Sequence, residues 1–303
     1  MTELVVLNKD ADSVWYLDAD TGEHLATVET DFNPHEVVVT PDGDHAVVTC
    51  SLGDSLLVLD NASREVVHRF EHELFDFPHG LAIRESADEL WLASTYSSQL
   101  FVFDLDSWEL LETVPTHQEH SHMVTFSPDE TTAYVANIGS DTISVVDADE
   151  RRVVADPPVG EGPEGIATDP DTGEILVANQ DDGRLSVLDP ETYESEVALL
   201  GETPIRVVVD PAGRYALVPN RESDDVSVID TEFVRDGERR PWEVARVPVG
   251  IHPGGTVFDP DGGRAFTANN KTNDVSVIDT EARAEVARYD TGIHPDGIDI
   301  VPE

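Results

Sequence analysis

Along the 303-residue chain, apolar residues alternate with polar ones in short runs separated by Gly, Pro, Asp and Asn. A period of two marks half-buried strands rather than helices. In residues 133–173, AYVANIGSDTISVVDADERRVVADPPVGEGPEGIATDPDTG, one apolar strand ends in Asn137 and a Gly/Ser/Asp turn follows. A second alternating strand closes on Asp147, a third runs from Arg151 to Asp156, and Val159-Gly160 with Pro163-Glu164-Gly165 leads into a fourth. The order predicts a four-stranded antiparallel unit.

That unit recurs from end to end. Strands following a Pro-x-Gly-like lead start at His35, His79, His122, Glu164, Ile205, Gly254 and Asp296. The next strands, among them HAVVTC, ELWLAS, TAYVAN, EILVAN and RAFTAN, come after turns such as Pro41-Asp42-Gly43 and Pro260-Asp261-Gly262. The last unit, beginning at Asp296, stops after one strand, whereas the chain opens with ELVVLN, a second-position strand lacking its first. Joining the two ends completes a unit. The prediction is an all-β fold: a seven-bladed β-propeller of four-stranded antiparallel blades, one domain over 1–303, with the last blade shared by 296–303 and 1–30. The fifth unit carries an insertion, TEFVRDGERRPWEVA, between its third and fourth strands. Its Arg239-Arg240-Pro241-Trp242 reads as a solvated loop on the face opposite the strand starts, with a partner contact as the alternative.

The segments AYVANIGSDTISVVD (133–147), ILVANQDDGRLSVLD (175–189), ALVPNRESDDVSVID (216–230) and AFTANNKTNDVSVID (265–279) resemble the YVTN-type repeat of the YncE-like, lactonase-like propeller superfamily. The resemblance covers all seven units and implies the same fold. The superfamily includes lactonases, metal-dependent lyases and members without assigned function, so activity has to be argued from individual residues.

Composition narrows the setting. Acidic residues outnumber basic ones 63 to 18, the formal charge is -45, and Lys9 and Lys271 are the only lysines. Such a chain repels nucleic acid and anionic membranes. Its self-repulsion is relieved where salt is abundant, since the screening length falls to about 3 Å at 1 M. The expectation is a soluble cytoplasmic protein of a salt-adapted organism, without a signal peptide or membrane partner, and monomeric. Cys50 is the lone cysteine, which rules out an intramolecular disulfide.

Chemistry is expected where the ring converges. In a propeller the first strand of each blade lines the channel, and its start shares a face with the turn after the second strand. The starts read His35, His79, His122, Glu164, Ile205, Gly254, Asp296, and the second-strand ends read Asn8, Cys50, Ser94, Asn137, Asn179, Asn220, Asn269. Three neighbouring blades thus present imidazoles, followed by a carboxylate, and His120 adds to the cluster before blade three. His35, His79, His120, His122 and Glu164 are the candidate ligands of a divalent transition metal. The alternative is that these histidines bond neighbouring backbone. Glu36 and Arg206 stand next to the starts of nearly opposite blades, where they either pair across the channel or face a small ligand. Glu36, His79 and Arg206 are the candidate catalytic residues, with Arg206 suited to a carboxylate or phosphate. Cys50 is read as a small buried hydrophobe or, alternatively, a thiolate near His35. The seven acids Asp18, Asp60, Asp104, Asp147, Asp189, Asp230 and Asp279 recur in every blade and read as turn caps. Two functions follow: a metal-dependent, lactonase-like hydrolase acting at the channel mouth, or a non-catalytic propeller that binds a metal, small ligand or protein there.

Overall fold

The alternating runs form the strands they predict. The computed structural model describes residues 2–302 apart from 232–233, 236–237 and 240–241. Seven four-stranded antiparallel sheets stand around a central channel. Their innermost strands are Pro34–Val39, Pro78–Arg84, Ser121–Phe126, Pro163–Thr168, Val208–Val209, Pro253–Phe258 and Pro295–Val301. Blades one to seven are numbered here in that order. In blade five the innermost pairing is reduced to those two residues and an isolated bridge between Pro204 and Asn220. Arg240 and Pro241 of the insertion lie outside the described residues. Trp242 opens the outer strand Trp242–Pro248 and is partly exposed.

The ring closes as the two incomplete terminal units require. Strand Glu3–Asn8 pairs on one side with Ser13–Asp18 and on the other with Pro295–Val301, with Val5 opposite Asp299. A carboxylate oxygen of Asp299 accepts the Val39 N–H, 2.7 Å away, tying the shared blade to blade one. Burial pushes the Asp299 carboxyl up to about 6.

The core lies between blades. Val5 and Leu7 pack with Ala46, Val48 and Leu59 of blade one. Leu4 and Val6 of the same strand face the other way, onto Phe266, Ala268 and Val277 of blade six. Alternate side chains of a single strand therefore feed two cores, so the second and third strands read as nearly continuous apolar runs.

The channel end of each blade has its own backbone device. In six blades the pairing of first and second strands slips near the first strand's start, for example between Pro34 and Glu36 and between Pro78 and Leu81. The residues left over include His35, His79, His122, Glu164 and Asp296. A bulge re-aims the side chain it carries, and here it turns the lead residues toward the ring axis. The residue after the lead is glycine in four blades because the next blade's backbone is too near for anything larger. A Cβ on Gly80 would come 2.7 Å from the Met123 Cα, and one on Gly165 would come 2.6 Å from the Arg206 Cα. Gly165→Ala is accordingly expected to destabilise the protein by about 1–3 kcal/mol, read as a lowered midpoint of thermal unfolding; an unchanged midpoint would show that the blades can simply move apart.

Candidate functional site

The bulged starts of blades one, two and three gather their histidines into one stack. His79 and His122 lie ring on ring, with centroids 3.7 Å apart and planes 27° apart, and His35 meets His79 at 4.6 Å. Phe77, held at φ 61°, lies parallel to His79 at 5.8 Å and covers the group. His79 is 1% exposed. Burial pushes His35 and His122 down to about 3. It also holds His79 well below its usual value, with the neighbouring His122 and His35 adding to the effect. All three rings are neutral near pH 7, which is why they can stack.

Each imidazole faces a carboxylate of its own. His35 Nε2 is 3.6 Å from Asp296 Oδ2, His79 Nε2 is 3.7 Å from Glu36 Oε1, and His122 Nε2 is 3.9 Å from Glu164 Oε1. These separations are too long for direct hydrogen bonds. The three acids differ in their cations. Glu36 pairs with Arg206 across the channel. Asp296 pairs with Lys9. Burial pushes the Asp296 carboxyl up, but His35, Lys9 and Arg221 outweigh it and hold the group below the usual carboxylate range. Among the described residues Glu164 has no such partner in contact: burial pushes it up to about 7, with Arg221 pulling it down only in part. Below the Glu36–Arg206 pair the channel continues as a cavity of about 540 Å³ walled by Val38, Leu81, Val124, Ile166, Val208 and Val257. The ion pair is thus a partition between the mouth and the lower channel.

Four residues that matter here, Lys9, Ser51, Thr95 and Arg221, were not singled out as site residues from the sequence. The second-strand ends turn away from the mouth, and in several blades it is the following residue that reaches the channel lining. Thr95 Oγ1 lies 3.0 Å from His122 Nδ1, Ser51 Oγ donates to the Pro78 carbonyl at 2.7 Å, and Lys9 reaches Asp296. Arg221 is the corresponding residue of blade five. It acts electrostatically on His35, His79, His122, Glu164, Arg206 and Asp296, and its guanidinium has no hydrogen-bond or ion-pair partner among the described residues. The detectable signal was positional: in this second ring only Lys9 and Arg221 are cationic, while the other blades carry Ser51, Thr95, Ile138, Gln180 and Asn270.

The strand ends themselves turn inward to the fold. Asn137, Asn179, Asn220 and Asn269 each donate from Nδ2 to a serine on the third strand, Ser144, Ser186, Ser227 and Ser276, at 2.8–3.0 Å. Asn179 and Asn220 also accept the N–H of Gly160 and Gly201. Cys50 replaces the asparagine in blade one and lies in the apolar core with Leu57, where burial pushes its thiol up to about 12. It is the small hydrophobe of the two readings, not a thiolate beside His35. Ser94 bonds the Asp76 backbone through both its donor and its acceptor.

Other candidates lie outside the stack. His120 is exposed on the rim, edge-on to Tyr96 at 5.2 Å. Among the described repeated acids, Asp18, Asp60, Asp147 and Asp189 accept backbone N–H groups two and three residues on; Asp104 and Asp279 accept one three residues on. Arg206, expected to hold a ligand carboxylate or phosphate, is occupied by Glu36, because the throat is narrow enough for two long side chains to meet. Among the described residues no three His, Cys, Asp or Glu side chains are arranged to hold one metal ion. The imidazoles point at separate acids rather than at one shared point. His35 Nδ1 and His79 Nδ1 remain buried without a hydrogen-bond partner.

Comparison with known proteins agrees with the fold. The chain is similar in fold to a putative 6-phosphogluconolactonase of Bacteroides fragilis, at TM-score 0.80 and 15% identity over 99% of this chain and 98% of that one. The periplasmic gluconolactonase of Pseudomonas aeruginosa gives TM-score 0.80 and 19% identity over 99% of each chain. The hydrazine synthase of Kuenenia stuttgartiensis gives TM-score 0.81 and 22% identity over 92% of each chain. Among curated sequences, antigen Lp49 of Leptospira interrogans is 24% identical over 58% of this chain and 40% of its own length. The chain thus spans well under half of that relative. The family described as "Lactonase, 7-bladed beta-propeller" matches residues 8–205, and this chain belongs to that family.

Proposed function

We propose that the protein is a lactonase-like hydrolase that opens a lactone ring at the channel mouth, with Glu164 as general base beside His122 and Arg221 facing the developing oxyanion. The observation that carries this reading is a single asymmetry. Of the three carboxylates opposite the histidines, Glu164 alone has no cation in contact among the described residues, and the Arg221 guanidinium, which has no partner among them, lies within electrostatic reach of it. A base with a pKa near the working pH is the efficient one. In the reaction, Glu164 takes a proton from a water whose oxygen adds to the lactone carbonyl carbon. The carbonyl electron pair moves onto oxygen, toward Arg221. The bond from the carbonyl carbon to the ring oxygen then breaks, the proton on Glu164 passes to that oxygen, and a hydroxy acid results.

The family assignment and the fold likeness to a gluconolactonase support this chemistry. The test is turnover of a panel of γ- and δ-lactones followed by acid release. Hydrolysis that is lost in Glu164→Gln supports the assignment; a panel left untouched by well-folded protein leaves the mouth as a binding site only. A second reading, capture of a divalent transition metal, is favoured by the two unpartnered Nδ1 atoms of His35 and His79. Metal analysis of purified protein with and without His79→Ala separates the two, since stoichiometric metal lost with that imidazole would favour the second.

The formal charge of -45 further supports work in a salt-rich cytoplasm; among the described residues no helix is long and apolar enough to cross a membrane. The unfolding midpoint is expected to rise steadily between about 0.1 and 2 M KCl as repulsion is screened. A midpoint independent of salt would remove the inference of salt adaptation.

A further inference from the structure

The mouth is not apolar or polar evenly around its rim. Phe32, Leu52 and Tyr96 are 56%, 54% and 54% exposed, and Phe77 lies between the last of these and the histidines, 5.3 Å from Tyr96 and 5.5 Å from His35. They form one arc. The turn carrying Leu52 packs on Phe32, since a Cβ on Gly53 would meet the Phe32 backbone at 3.2 Å, and Asp54 accepts the Phe77 N–H. The arc covers blades one and two, directly above the imidazole stack. Across the mouth, blades four and five present Glu161, Asp181, Asp182, Glu202 and Arg221 instead.

Large exposed apolar side chains that adjoin each other and a polar site mark a binding surface. Resting on the hydrolase reading above, we infer that the substrate is a lactone carrying an aromatic or other flat apolar substituent, which lies on Phe32, Phe77 and Tyr96 while its carbonyl reaches Glu164 and Arg221. Asp31, Asp54 and Asp76 flank the arc, and Arg69 beside it is already engaged by Asp31 and Glu71, each at 3.0 Å. A phosphorylated substituent would meet carboxylates there.

The test compares γ-phenyl-γ-butyrolactone, unsubstituted γ-butyrolactone and a phosphorylated sugar lactone on the wild type, Phe32→Ala and Tyr96→Ala. The phenyl compound is expected to have the highest kcat/KM. Each substitution should raise its KM about tenfold and leave the unsubstituted lactone unchanged. Preference for the phosphorylated compound, or a phenyl preference indifferent to both substitutions, overturns the inference. Binding of the phenyl lactam, which resists hydrolysis, is measured in parallel. If no lactone turns over but the lactam binds and loses affinity in both variants, the hydrolase reading fails and the ligand class stands. A concentration-dependent dimer abolished by the same substitutions, without lactam binding, assigns the arc to self-association and overturns it.

Discussion

Glu164→Gln is expected to lower kcat/KM for lactone hydrolysis by about a hundred- to ten-thousand-fold in a protein that stays folded. The wild-type rate should rise with pH through an apparent pKa near 7, because burial holds the Glu164 carboxyl up to about 7 against the pull of Arg221. Asp296, Lys9 and Asp181 also act on this group, in opposite senses, and His122 faces it. The stability sign separates this role from a structural one. A carboxyl whose folded pKa is raised binds its proton more tightly in the native state, so its favourable contribution is complete below about 4.5 and is lost as pH rises through about 7. Above pH 7 the buried charge is a net cost on the order of a few kcal/mol, and the neutral amide avoids it. Glu164→Gln should therefore unfold at the same temperature as the wild type or higher at pH 8, while its activity is nearly gone. Comparable activity at pH 8, with the rising limb intact, would move the base elsewhere in the mouth.

The histidines bear the opposite sign. His35 and His122, pushed down to about 3, favour the fold while neutral, and that favour is lost as pH falls from about 6.5 toward 3. The stack and the raised glutamate thus confine the site to a window around neutrality.

Much of this arrangement was legible before the coordinates. The period, the incomplete terminal units and the histidine starts of three consecutive blades determined the ring, its closure and the neighbours His35, His79 and His122, since symmetry places equivalent residues at equivalent heights. What stayed hidden turned on side-chain direction and channel width. Asn137 and its equivalents end their strands, yet strand alternation turns them toward serines, and in several blades the following residue reaches the channel lining; one position separates Cys50 from Ser51 and Asn220 from Arg221. The bulge that aims His35 inward has no sequence mark beyond the preceding proline. Gly80 and Gly165 carry no chemistry of their own, and their missing side chains are what let the blades approach so closely. That approach also decides that Glu36 and Arg206, 170 positions apart in the chain, touch each other instead of flanking a ligand.

Removing one half of that pair is expected to have the largest effect on stability of any single change in the channel. Glu36 and Arg206 are both 7% exposed, and burial pushes the guanidinium down to about 10, which leaves it charged at neutral pH. Arg206→Met would strand a buried carboxylate whose other close neighbour of opposite potential charge, among the described residues, is His79, a ring that burial and two adjacent imidazoles keep neutral. Breaking a buried pair in this way costs about 3–5 kcal/mol, and at about 2–4 °C per kcal/mol the unfolding midpoint should fall by roughly 10 °C. Adding Glu36→Gln to Arg206→Met removes the stranded charge, and most of the loss should be recovered, because two charges taken from water are replaced by neutral groups of similar size. If the pair were instead the substrate's anchor, Arg206→Met would raise KM with little change in midpoint, and the second substitution would restore nothing.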